Sequence, residues 1–114
     1  MPADPDIPPE DMAYAAHLLR LASEERDGLS ENDHESVAYV VLSALIEMFE
    51  DAANGYVTLT GLPVAIREGL EREGLITPPQ KRLVGLDEQK EQERRAIYHR
   101  YLKLMNEYLE ARSA

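Results

Sequence analysis

The chain has 114 residues, no cysteine, a net charge of −10 and a hydrophobic content of 44%. This length fits one domain that buries a core without disulfides, and the lack of cysteine excludes thiolate zinc sites and cysteine nucleophiles. The negative charge argues against binding to a phosphate backbone or to an anionic membrane surface. We therefore expect no nucleic-acid partner and no membrane partner.

The negative charge is concentrated in the first half of the chain. Residues 1–57 hold 13 acidic and 2 basic side chains, whereas residues 58–114 hold 9 acidic and 10 basic ones. An acidic surface attracts a basic partner, but it also keeps a protein soluble or suits a salty cytoplasm. The composition therefore leaves a basic protein partner and a solubility role both open.

The chain begins with an acidic, proline-rich stretch, residues 1–8, which predicts an extended arm. A secretory signal would instead begin with basic residues, and no apolar run is long enough to cross a bilayer. We expect a cytoplasmic protein, with one helical domain over residues 9–114. Its first helix should begin near Pro9 and end at Gly28, with residues 24–27 solvated.

The longest apolar run extends from Val37 to Phe49. It predicts a central helix over residues 35–53 that is buried on nearly every side, with N-caps offered by residues 30–33. The polar residues within and beside this run recur at helical spacing and form one narrow polar stripe. The stripe consists of Ser36, Ser43, Glu47 and Glu50.

The second half of the chain predicts two further helices. Residues 62–73 suit a short helix that ends at Gly74, and the last helix should run from Asp87 to about Arg112. Residues 56–60 and 82–86 could pair as two short strands or form a connector and a turn. We predict an all-α fold: a small four-helix bundle with a buried central helix, a long C-terminal helix and an optional two-stranded β pairing.

Tyrosines recur at helical spacing on one face of the last helix, after nine residues without an apolar side chain. One interpretation is core packing with hydroxyls that reach solvent. The other is an interface with a protein partner or a second copy, because Tyr, Met and Arg are enriched at interfaces. The residues predicted to bind a partner are Tyr98, Tyr101, Met105, Tyr108, Arg94 and Arg95.

The segment Arg94-Arg-Ala-Ile-Tyr-His99-Arg-Tyr101 resembles the signature of HEPN-type ribonucleases and toxins, which are small all-α dimers. The resemblance implies that Arg94 and His99 cleave RNA at a dimer interface, supported by Tyr101. That family usually has a polar residue such as Asn after the arginine, where this chain has Arg95. In a continuous helix Arg94 and His99 also lie on different sides of the axis.

The segment Leu70-Glu-Arg-Glu-Gly-Leu-Ile76 resembles the end of a winged-helix recognition helix. The resemblance implies duplex DNA binding through Arg67 and Arg72, with residues 82–86 as a wing strand and the last helix as a dimerisation arm. A helix-turn-helix needs a short turn before its recognition helix, whereas residues 54–61 separate the two helices here.

Metal and cofactor sites are not expected. Glu31 and His34 have the spacing found in carboxylate-bridged di-iron sites, but such a site needs two Glu-x-x-His units, and only one is present. We therefore favour a non-enzymatic acidic interaction or regulatory protein that self-associates or acts as a subunit, adaptor or inhibitor of a larger protein. A winged-helix regulator and a HEPN-like ribonuclease stay open as alternatives.

Overall fold

The computed structural model describes residues 7–29, 36–76 and 88–113, with the side chains of residue 90 and of residues 92–113 in the last range. These residues form an all-α bundle, which confirms the predicted fold class. Residues 1–6 of the predicted arm and residues 82–86 of the optional strand pairing lie outside the described residues. The described helices are α1 Pro9–Asp27, α2 Val37–Ala53, α3 Leu62–Arg72 and α4 Glu88–Ser113.

The helix ends follow local chemistry. α1 begins at a proline, whose fixed φ and missing N–H suit the first helical position, and Gly28 follows its last residue as the C-cap. α2 begins after Ser36, whose hydroxyl accepts a hydrogen bond of 3.2 Å from the backbone N–H of Tyr39. The N-caps predicted for α2 at residues 30–33 lie outside the described residues, and Ser36 was not among them.

α2 forms the centre of the core, as predicted, but it is not buried on nearly every side, because the other helices leave Val40 exposed and Ala44 half-buried on its outer face. Its inner face includes Val41, Leu42, Leu45 and Phe49, all without solvent exposure. α1 packs most extensively on α2, and its buried alanines allow the two backbones to come close. The other helices complete the core. Their buried apolar residues are Ala15, Leu18 and Ala22 from α1, Leu62, Ile66 and Leu70 from α3, and Tyr98, Tyr101 and Met105 from α4.

The α2–α3 connection consists of turns, so residues 56–60 do not form a strand. Leu59 anchors the connection in the core, and the Thr58 hydroxyl accepts a hydrogen bond of 3.1 Å from the backbone N–H of Gly61. α3 then packs on α2 at Gly69, where a Cβ would lie 2.3 Å from Cε of Met48. The chain turns back after Gly74, which has a φ of 74°.

Candidate partner-binding surface

The tyrosine-bearing face of α4 lies against the core. Tyr98, Tyr101 and Met105 are all buried, and the Tyr101 ring contacts Phe49 of α2 with ring centroids 5.6 Å apart. Tyr108 is partly buried. Four of the six residues predicted to bind a partner therefore contribute to packing within the chain, and a direct contact with a partner at these positions stays a prediction.

Glu25 joins the end of α1 to the middle of α4. The Tyr101 hydroxyl donates a hydrogen bond of 2.8 Å to one carboxylate oxygen of Glu25, and Arg100 pairs with the other oxygen. Burial, together with this hydrogen bond, raises the pKa of Tyr101. Residues 24–27 were expected to be solvated, but Glu25 is instead held in this contact between two helices.

Asp11 makes a similar contact at the opposite end of α1. Its carboxylate is 3% exposed, accepts a hydrogen bond of 2.9 Å from the Tyr108 hydroxyl and pairs with Arg112. The Tyr108 ring stacks on Tyr14 with centroids 4.1 Å apart. The Tyr14 hydroxyl donates to the backbone carbonyl of Leu104 at 3.0 Å. These contacts use the tyrosine hydroxyls to hold α1 against α4.

The residues of the ribonuclease-like segment lie in different environments. Arg94 and Arg95 are partly buried, whereas His99 is exposed with its ring centroid 5.2 Å from that of Tyr98. The Arg94 Nε atom is buried and makes no hydrogen bond to a described residue. Tyr101 is buried and its hydroxyl donates to Glu25, so this hydroxyl is engaged within the chain, and RNA cleavage by Arg94 and His99 stays a prediction.

The two arginines that the winged-helix resemblance implies in DNA binding are exposed on α3, whereas Leu70 and Ile76 of the segment are buried. The side chain of Arg67 is 53% exposed and forms an ion pair of 3.7 Å with Glu71, one turn further along the helix. Arg72 is exposed in the last turn. The two arginines are thus interspersed with carboxylates.

Within residues 7–29, 36–76 and 88–113, no group of three or more His, Asp or Glu side chains is placed to hold a metal ion. No helix in the same ranges combines the length and the apolar character that crossing a membrane requires.

A shallow groove follows the outer face of α2. Val40 is 39% exposed in its floor, and Ala44 follows one turn later. We call this feature the α2 groove; it is open to solvent and has a volume of about 300 Å³. Its lining residues are Tyr39, Val40, Ser43, Ala44 and Glu47 from α2 and Glu73 from the end of α3.

The spacing of polar residues along α2 is a sequence signal for the exposure of Val40 in the α2 groove. Val40 lies between Ser36 and Ser43 on the polar stripe of α2, at distances of four and three residues. A residue at these spacings shares the exposed side of the helix with its polar neighbours. The apolar composition of the run instead favoured burial at this position.

Arg26 of α1 fixes one wall of the α2 groove. Its guanidinium donates a hydrogen bond of 3.3 Å to the Ser43 hydroxyl and lies 5.6 Å from the centroid of the Tyr39 ring. A cation over an aromatic face is attracted by the electrons of the ring. This contact therefore restricts the Tyr39 and Ser43 side chains and preforms the wall.

Carboxylates make the other end of the α2 groove electronegative. Glu47 and Glu73 line it, and Glu50 and Asp51 are exposed on the following turn of α2. None of the four forms an ion pair with a described residue. α2 has no basic residue in its last turn, so the partial negative charge of the helix C-terminus adds to that of the carboxylates.

The fold and this surface define a small all-α bundle with an apolar groove that ends in carboxylates. The chain matches no family model, no curated protein and no solved structure.

Proposed function

We propose that this protein is a non-enzymatic binding protein that holds a protein partner in the α2 groove, as a subunit, adaptor or inhibitor. The observation that carries the proposal is the half-exposed Val40 in a concave surface, next to carboxylates that have no ion partner among the described residues. Concave apolar surfaces with a polar rim are typical of protein–protein interaction sites.

The rigidity of the α2 groove supports this proposal. Its floor belongs to the most deeply buried helix, and Arg26 holds one of its walls in place. A surface that is formed before binding loses little conformational entropy when a partner docks. In this proposal the tyrosines of α4 support the binding surface by holding α1 and α4 together.

The lining residues favour binding over catalysis. A serine nucleophile needs a neighbouring base to take its proton, but the Ser43 hydroxyl accepts a hydrogen bond from Arg26, and none of the six lining residues is a histidine. We further propose a cytoplasmic location, because a chain without cysteine suits a reducing compartment.

A matched pair of variants tests this proposal. Val40→Asp places a charge in the groove floor, whereas Val64→Asp makes the same change at a valine of α3 that is 49% exposed and outside the groove lining. Each tagged full-length chain is expressed in its native cells, and the proteins that co-purify are identified by mass spectrometry. We expect a partner that is retained by the wild type and Val64→Asp and lost with Val40→Asp.

Two measurements make the comparison decisive. Both variants should unfold within about 0.5 kcal/mol of the wild type, because they change exposed positions. If Val40→Asp folds normally and retains the same partners as Val64→Asp, the proposed function is wrong.

A further inference from the structure

The shape and charge of the α2 groove point to a specific kind of occupant. We propose that the groove receives a basic amphipathic helix of the partner protein. This inference rests on the proposed function and adds the chemistry of the bound segment.

The size of the α2 groove favours side-chain anchors over a small molecule. Its volume of about 300 Å³ lies at the lower limit for ligand pockets, which also enclose most of the ligand surface. The α2 groove is shallow and follows a helix, with Val40 and Ala44 one turn apart on its floor. A docking helix presents apolar anchors at the same spacing, three or four residues apart.

The charge distribution selects a basic segment. The floor is apolar around Val40 and Ala44, and the next turns of α2 carry Glu47 and Asp51. These carboxylates are one turn apart, so two cationic side chains one turn apart on a docked helix can reach both of them. The helix C-terminus attracts cations in addition. Apolar anchors followed by Lys or Arg therefore complement this surface.

The same charges disfavour a second copy of this chain as the occupant. In a two-fold dimer the same surface faces itself. Glu47, Glu50 and Asp51 would then lie in an interface to which this face of α2 brings no basic side chain. Like charges placed opposite each other weaken an interface, whereas a basic helix neutralises them.

Peptide selection tests the chemistry of the occupant directly. A random library of peptides of about 16 residues, roughly four helical turns, is selected on the immobilised full-length chain. We expect enriched sequences with aliphatic residues three and four apart and at least two Lys or Arg residues. Their binding should weaken as salt increases, because exposed charges are screened.

Variants show whether the selected peptides occupy the α2 groove. The pair Glu47→Gln with Asp51→Asn should weaken binding roughly tenfold, and Val40→Asp should weaken it at least as much. The matched control is Glu107→Gln with Glu110→Gln, which removes the same charge from exposed positions of α4. This control should leave the affinity within about twofold.

The outcomes separate the two proposals. The selection could enrich acidic or uncharged peptides whose binding is lost with Val40→Asp. That result would overturn the proposal of a basic helix and leave the α2 groove as a binding site. If the α4 control weakened peptide binding equally, the loss of affinity would reflect general attraction between a basic peptide and an acidic protein. That result would overturn the inference. A selection that enriches no basic amphipathic sequence also overturns it, whereas the native co-purification decides the proposed function separately.

Discussion

The carboxylate of Asp11, in the first turn of α1, accepts a hydrogen bond of 2.9 Å from the hydroxyl of Tyr108, near the end of α4. Glu25, near the end of α1, accepts a hydrogen bond of 2.8 Å from Tyr101, which lies earlier in α4. The order of these contacts shows that α4 runs antiparallel to α1. Two acid–tyrosine contacts therefore set the position of the longest described helix.

We predict that Asp11→Ala lowers the free energy of unfolding by about 2 kcal/mol. The change removes the acceptor for Tyr108 and the ion partner of Arg112 in a site where Asp11 is 3% exposed. Urea unfolding followed by circular dichroism measures the effect. The control is Glu10→Ala, an exposed acid in the same helical turn, which should change the value by about 0.5 kcal/mol or less. Equal losses in the two variants would contradict the prediction.

Tyr101→Phe should lower the free energy of unfolding by about 1 kcal/mol, because it removes one hydrogen bond and keeps the buried ring. A double-mutant cycle with Glu25→Ala, which removes the acceptor, should show a coupling of about 0.5–1 kcal/mol between the two side chains. Tyr56→Phe is the matched control, since Tyr56 is 52% exposed, and it should have almost no effect. Additive losses in the cycle would argue against the Tyr101–Glu25 bond.

The protein should lose stability at alkaline pH. Burial, with the hydrogen bond to Glu25, raises the pKa of Tyr101 well above its ordinary value of 10.0. Because the native state then holds the proton more tightly than the unfolded state, this stabilisation is complete below pH 10 and is lost between pH 10 and the raised pKa. One buried tyrosine contributes up to about 1.4 kcal/mol per pH unit in that window.

Unfolding in urea at neutral pH and at several pH values above 10 measures this loss. Burial also raises the pKa of Tyr14, Tyr98 and Tyr108, so the wild type should lose stability more steeply than one tyrosine alone predicts. Tyr101→Phe should show a shallower decline, since it removes one of the contributing groups. A decline of equal slope in both proteins would show that Tyr101 does not contribute.

Asp51→Lys should increase stability and weaken partner binding. Asp51 is exposed in the last turn of α2, where a cation interacts favourably with the helix dipole and a carboxylate does not. The lysine also makes the net charge of −10 less negative. We expect a gain of about 0.5–1 kcal/mol in thermal or urea unfolding. A variant that gains stability and still binds the native partner with unchanged affinity would separate Asp51 from the binding surface.

Several features of the fold were predictable because they depend on neighbouring residues. Pro9 marked the start of α1 and Gly74 marked the turn after α3, because these residues answer local demands on φ and on backbone hydrogen bonds. Gly28 does follow the last residue of α1, but its φ of −73° is one that other residues adopt as well. The central position of α2 was also predictable, from the apolar run in its own sequence. A helix with few polar positions has to be buried on most sides.

The candidate site was harder to predict. Residues 24–27 looked solvated because they are charged, and Asp11 looked like a first-turn acid that favours the helix dipole. Neither local pattern shows where α4 packs. It is α4 that brings tyrosines and arginines from far along the sequence to those acids. The exposure of Val40 likewise depends on which side of α2 the other helices cover.

The sequence by itself determined an all-α fold, the ends of most helices and the central place of α2, because helix formation and capping are governed by residues a few positions apart. Tertiary structure alone decided that the tyrosines of α4 bond to Asp11 and Glu25, and that the outer face of α2 forms a groove with an acidic end. Those features depend on how helices are placed relative to one another, and that placement is set by packing between distant parts of the chain.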